Sequence, residues 1–189
     1  MTPARHVSLK RIVLSFCLAL MAILSICVSP ASASMNDDRY DGNVFVLYAG
    51  NGSLVPPRLT LKETRDRQLP ALIVYYVDDN SDSKKFAPIV SEIQSYYEKV
   101  VSIIPVAVDS IPVKSSYAKD EVGYYYEGKI PQTVVLDSNG KVVFNQAGQV
   151  DFNVLDNVFR KLLDLPIREG ENLLQPSKAF NEYNSGFER

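Results

Sequence analysis

Thiols and imidazoles are nearly absent from this 189-residue chain, which has two cysteines, Cys17 and Cys27, and one histidine, His6. All three lie ahead of residue 34, so whatever follows has neither group. Disulfide exchange, thiol nucleophilic catalysis and cysteine-based zinc binding are thereby excluded from the body of the chain, as are Ser-His-Asp and Cys-His arrangements. An excess of positive charge is lacking too. Twenty Lys plus Arg face 22 Asp plus Glu for a formal charge of -2, and nothing in that balance points to nucleic acid. What is present, 46% hydrophobic and 22% charged side chains, suits one ordinary domain with a sizeable core.

The first 33 residues pose a separate physical problem. Arg5, His6, Lys10 and Arg11 precede the apolar run Ile12 to Val28, Pro30 breaks it, and Ala31-Ser32-Ala33 places small residues at the -3 and -1 positions of a signal peptidase site. A run of 17 residues falls short of the about 20 that a membrane span needs. The reading is cleavage after Ala33, with retention as an N-terminal anchor as the alternative. Ile26 is too bulky for lipoprotein processing at Cys27. Cleavage would leave 156 residues in which 17 bases face 22 acids, a formal charge of -5.

Residues 34–43 read as an unstructured, flexible spacer, and Val44 to Ala49 as a short strand closed by Gly50-Asn51-Gly52-Ser53. Leu59 to Gln68 is a charged segment with weak helical character. Leu69 to Val77 is continuously apolar, β-branched and aromatic, as in a strand buried on both faces. Phe86, Ile89, Val90, Ile93 and Tyr97 then mark one side of a helix from about Asp82 to Lys99, with Asn80, Ser81 or Asp82 available as its cap. Val100 to Val108 is a strand whose Pro105 favours an edge or a bulge, and Asp109 to Lys119 is irregular or briefly helical. Ile130-Pro131-Gln132 opens the strand Thr133 to Leu136, Asp137-Ser138-Asn139-Gly140 turns it, and Lys141 to Gln146 returns. Phe152, Leu155, Val158, Phe159 and Leu162 share one face of a helix from about Asp151 to Leu163. Residues 166–189 are polar and broken by Gly170, Pro176 and Gly186, a tail in which Leu173, Leu174, Phe180 and Phe187 offer apolar contacts. The order predicts an α/β domain over residues 44–165, with a central mixed sheet flanked by helices on both faces.

Three blocks carry a resemblance to the thioredoxin superfamily: ALIVYYV (71–77), FAPIVSEIQSYY (86–97) and IPQTVVLDSNGKVVFNQAG (130–148). They resemble the central strand, the active-site helix, and the cis-proline strand with its hairpin and the glycine before the last helix. The resemblance covers roughly residues 44–163, with extra residues around Tyr124 to Lys129. Aligned on Ala87-Pro88, the chain has Asn80-Ser81-Asp82-Ser83 at the redox Cys-x-x-Cys positions, Asn80 and Ser83 replacing the two cysteines. Asp79 and Tyr76 match the preceding tryptophans, and Val74 matches the buried Asp that assists proton transfer. Pro131, expected to follow a cis bond, keeps its place. More narrowly, the leader, the cysteine-free body and segments such as VYYVDDNSDSKKFAPIVSEIQSYY resemble the cyanobacterial thylakoid-membrane photosystem I accumulation factor family.

That resemblance implies a protein without catalysis or cofactor, bound to photosystem I subunits or assembly intermediates at the thylakoid membrane, on the lumenal face, directly or through partners. The docking surface it implies joins Asp79 to Ser83, Ile130-Pro131 and Gly148. Tyr76, Tyr124, Tyr125 and Tyr126 are the aromatic anchors at its edge. Two other readings are open. The acidic run Asp78 to Ser83 offers oxygen ligands to Ca²⁺ but lacks an EF-hand's spacing and terminal Glu, so a solvated capping loop is the plainer reading. Ser81 or Ser83, with Lys84 or Lys85, is the only material for a non-thiol enzyme; a retained leader would instead make the domain a tethered spacer.

Overall fold

The computed structural model describes residues 9–26 and 34–168, and the chain divides into two units, residues 1–33 and 34–189. In the first unit α1 (Leu9–Ile26) is an 18-residue helix with Lys10 and Arg11 in its first turn. Among the described residues no helix is long and apolar enough to cross a membrane.

The second unit is built on a four-stranded sheet ordered β2-β1-β3-β4. Its centre is β1 (Ala71–Tyr76), all six residues buried, paired parallel with β2 (Ser102–Ala107) and antiparallel with β3 (Gln132–Leu136). A chain that returns parallel to β1 needs a crossover, and α4 (Ser81–Tyr97) supplies it. β4 (Val142–Ala147) closes the hairpin on β3 with a register shift at Val135/Leu136. Pro105 sits in β2, an edge strand, where a missing N–H costs no ladder bond to an outer neighbour.

Alternation along β1 divides the core in two. Leu72, Val74 and Tyr76 pack with Phe86, Val90 and Ile93 of α4 and with Leu155 and Phe159 of α5 (Phe152–Leu162). Ala71, Ile73 and Tyr75 face Leu61 of α3 (Leu61–Asp66) and the 3₁₀ turn Val122–Tyr125. The result is a mixed α/β fold with helices on both faces of the sheet, in agreement with a thioredoxin-like arrangement.

One element differs from the sequence reading. Residues Val44–Leu47 form the short helix α2 instead of a strand. Adjacent Val44 and Phe45 are both buried while Val46 and Leu47 are exposed, a pattern that a period of two cannot produce. Asn43 Oδ1 accepts from the amides of Phe45 at 3.1 Å and Val46 at 3.4 Å, and an Asp78 carboxylate oxygen accepts from Val44 N at 2.8 Å. These caps satisfy the first-turn donors and outweigh β-branched composition.

The weak helix in 59–68 is the capped α3. Thr60 Oγ1 accepts from Glu63 N at 3.2 Å and Glu63 Oε2 accepts from Thr60 N at 2.8 Å, a reciprocal box that compensates for poor periodicity. Residues 34–43 contain no helix or strand, as read, yet they are pinned to α4 and not free. At the other end Arg168 stacks over Tyr96 with its guanidinium 4.5 Å from the ring centre. The apolar tail residues Leu173, Leu174, Phe180 and Phe187 lie outside the described residues.

Candidate functional site

At the start of α4, the positions aligned with the redox cysteines are occupied by a helix cap. Asn80 Oδ1 accepts from Ser83 N at 2.8 Å and from Ser83 Oγ at 3.1 Å, and the buried Ser83 Oγ accepts from Val77 N at 3.3 Å. Ser81 N donates to Asp38 Oδ1 at 2.8 Å, so both Asn80 and Asp38 satisfy orphan amides of the helix. The Ser81 hydroxyl is hydrogen-bonded to the Asp38 carboxylate, and Ser83, 2% exposed, does not face solvent.

The cis-proline loop and the last-helix glycine meet this helix start. Ile130–Pro131 is cis, and Gly148 N donates to Pro131 O at 2.7 Å. Gly148 has φ +85°, a conformation that a residue without Cβ takes at little cost. Its neighbour Gln149 donates from Nε2 to Asp82 Oδ1 at 3.0 Å and so ties the loop to α4. Asp79 is exposed at the rim, and Ile130 is half-buried.

The tyrosines divide between the two faces of the sheet. Tyr76 is buried, edge-on to Phe45 at 4.9 Å, and its hydroxyl accepts from Asn43 Nδ2 at 3.1 Å. It belongs to the core and offers no surface. Burial raises its phenol above the ordinary range, against the Asn43 hydrogen bond. Tyr125 is buried with its hydroxyl donating to Lys119 O at 2.8 Å, and Tyr126 stacks on Tyr75 at 5.1 Å. The Tyr75 hydroxyl donates to Val122 O. Of these five tyrosines only Tyr124 is substantially exposed, at 48%. Gln132 holds this segment beside the cis bond: its Nε2 donates to Tyr125 O at 2.9 Å and its Oε1 accepts from Glu127 N at 2.9 Å. Around the helix start and the cis-proline loop, Asp79 and Asp82 are exposed and Ile130 and Gly148 half-buried, while Tyr124 is exposed in the 3₁₀ turn Val122–Tyr125.

Two carboxylates of the acidic run, Asp78 and Asp82, are engaged by protein donors, and Asp79 is exposed. Asp78 takes Val44 N and Asn43 Nδ2, and burial pushes its carboxyl above the ordinary value in spite of those hydrogen bonds. Among the described residues no group of three His, Cys, Asp or Glu is placed to hold a metal ion.

The residue that sequence reasoning passed over is Lys84. Named in the sequence only as a partner for Ser81 or Ser83, it is fully buried. Its Nζ donates to the carbonyls of Ser34 at 3.1 Å, Asp37 at 3.0 Å and Arg39 at 2.7 Å, and to Asp41 Oδ2 at 2.7 Å and Asp37 Oδ1 at 3.3 Å. Tyr48 lies 5.4 Å below it and donates its hydroxyl to Asp41 Oδ2 at 2.6 Å. Removal from water opposes the charge on Lys84, but the hydrogen bonds to Asp41 and Asp37 prevail and raise its pKa to about 12. The same lysine bond, with that from Tyr48, holds Asp41 down at about 2. Residues 34–43 are thus a strap laid over the first turns of α4. One signal in the sequence could have found it: Lys84 precedes buried Ala87 by three positions, on the inward stripe of the helix, and the spacer is rich in aspartate.

No family model matches the chain. Over 155 residues, 82% of this chain and 77% of the other, it is 53% identical to a protein named thylakoid membrane protein slr1796 from Synechocystis sp.. At that identity over that length, the chain belongs to the family of this cyanobacterial protein.

Proposed function

We propose that this is a non-catalytic, thioredoxin-like factor of the thylakoid membrane, on its lumenal face, that supports photosystem I accumulation, assembly or stability by binding protein partners. The observation that carries this reading is the fate of the helix start. Asn80 and Ser83, at the cysteine positions, are consumed in capping α4, while cis-Pro131 and Gly148 still assemble beside them. A surface that docks protein substrates in thioredoxin relatives is retained here without the groups that would react with them. The kinship with a thylakoid membrane protein supports the compartment, and the resemblance to photosystem I accumulation factors supplies the client. Ile130 and Tyr124 supply apolar contact at the rim, and Asp79 and Asp82 supply charge.

Affinity purification of the C-terminally tagged protein from mildly solubilised thylakoids tests it. Recovery of photosystem I subunits or assembly intermediates is the expected result; recovery of none of them would remove the direct-contact reading.

A further inference from the structure

Ser34, the first residue of the second unit, is held on both sides of its backbone. Its carbonyl accepts from Lys84 Nζ at 3.1 Å and lies 3.1 Å from the Tyr48 hydroxyl oxygen, whose one proton goes to Asp41 at 2.6 Å. Its N–H donates to Asp41 Oδ2 at 3.5 Å. For a neutral amide that is a long, weak contact. For an ammonium, with three donors and a full charge on the same nitrogen, it is ion-pairing distance.

The local charge balance points the same way. Three carboxylates of the strap face the helix start: Asp37 and Asp41 on Lys84, and Asp38 on Ser81 N. Among the described residues two cations answer them, Lys84 and Arg39, whose guanidinium pairs with Asp37 at 2.8 Å. Tyr48, the remaining titratable group in contact with Asp41, is a neutral donor there. One more positive charge at Ser34 N would complete the set. The residues ahead of Ser34 are Ala31-Ser32-Ala33, small at -1 and -3.

We propose that the Ala33–Ser34 bond is a processing site whose new α-ammonium docks on Asp41 and locks the 34–43 strap over the start of α4. In the cut, water adds across the peptide bond. The hydroxyl goes to the Ala33 carbonyl carbon and a proton to the Ser34 nitrogen; the new acid ionises and its proton leaves the amine as an ammonium. Processing then does more than release a leader, because it creates the third cation of a cluster that is one short before the cut. The inference goes beyond the client reading above and does not depend on which partner the patch binds.

The experiment uses the tagged full-length chain expressed in a cyanobacterium and purified from its membranes. Intact mass reads the terminus, and an N-hydroxysuccinimide ester at neutral pH, followed by peptide mapping, reads the reactivity of the Ser34 amine. The expected result is a Ser34 terminus labelled at least about tenfold more slowly in the native protein than in urea, the equivalent of one pKa unit of protection. Asp41→Asn, with its fold checked by circular dichroism, is expected to abolish most of that protection. Should Asp41→Asn fail to fold, the native-against-urea comparison decides, and Tyr48→Phe, which removes a donor but no charge, is expected to keep the amine protected. A terminus at any other residue, or equal labelling in native and unfolded protein, overturns the proposal.

Discussion

Two buried charges of opposite sign, Lys84 and Asp156, are solved in different ways. Lys84 is enclosed by a segment without secondary structure that lies more than 40 residues earlier in the chain, and three of its five acceptors are backbone carbonyls. Asp156, 1% exposed, takes side-chain donors among the described residues: Tyr97 Oη at 2.5 Å, Arg160 Nε at 2.6 Å and Arg168 Nε at 3.1 Å. One of these, Arg160, is its i+4 neighbour on α5. A buried ion must find partners or lose its charge. The Asp156 solution uses helix spacing and conserves α5 as a unit, whereas the Lys84 solution fixes a loop. The first stabilises packing between helices; the second places Asp38 on the helix start that borders the candidate docking patch.

The largest effect is expected from Lys84→Met. It removes the lysine from Asp37, Asp41 and three carbonyls, leaving Asp37 only Arg39 and Asp41 chiefly Tyr48, so the strap is expected to lose hydrogen-exchange protection from Ser34 to Asp41 and to become protease-sensitive. The unfolding midpoint should fall further than in any change at Asp156. If the strap stays protected, the lysine cage is not what holds it. Asp156→Asn keeps the shape but loses the charge, and is expected to cost about 2 kcal/mol in chemical denaturation, with Arg160 and Arg168 free to turn partly toward water.

Acid and alkali address the two sites differently. Asp41, at about 2 when folded against an ordinary 3.8, contributes stability that is present above pH 3.8 and lost as pH falls toward 2. Asp156 acts in the same direction: its burial raises the carboxyl, but the hydrogen bonds from Tyr97 and Arg160 outweigh that and hold it below 3.8. On the alkaline side, Lys84 at about 12 against 10.5 contributes stability that is complete below 10.5 and lost on rising through 12. Tyr97 acts in the same direction from a different cause, burial and then its bond to Asp156, which raise it to about 12 against 10.0. Urea denaturation across pH should therefore show losses below about pH 4 and above about pH 10, and Lys84→Met should blunt both.

Smaller effects sharpen the contrast between paired and unpaired polar groups. Asn80→Ala removes the α4 cap and is expected to cost about 1 kcal/mol by denaturant titration. Thr133 is fully buried, and its Oγ1 has no hydrogen-bond partner among the described residues. Thr133→Val is therefore expected to stabilise the protein by about 1 kcal/mol, where every substitution at a paired buried group destabilises it.

Much of this fold is legible in local pattern. The run at 71–76 predicts a strand buried on both faces, Asn139-Gly140 predicts the hairpin, and the apolar stripes of α4 and α5 predict their inward faces. Pattern fails where neighbouring groups decide: Val44–Leu47 has strand composition, but Asn43 and the distant Asp78 cap it as a helix. The candidate site is partly legible. Its alignment names the helix start, Pro131 and Gly148, which the structure brings together. It also suggests Tyr76, which is buried on the core side, and a row of three tyrosines of which only Tyr124 is well exposed. Periodicity puts Lys84 on the inward stripe of α4 but does not name its cage, since nothing local tells a lysine which aspartates and carbonyls a coil segment will bring to it.

Photo-crosslinking in living cells tests the central claim most directly. A photoreactive residue replacing exposed Asp79 sits on the patch, and one replacing exposed Val142 sits at the opposite end of the β3–β4 hairpin. The account predicts crosslinks from position 79 to a photosystem I subunit or assembly intermediate and none from position 142. Crosslinks to such a protein from position 142 alone, or from neither position, would contradict it.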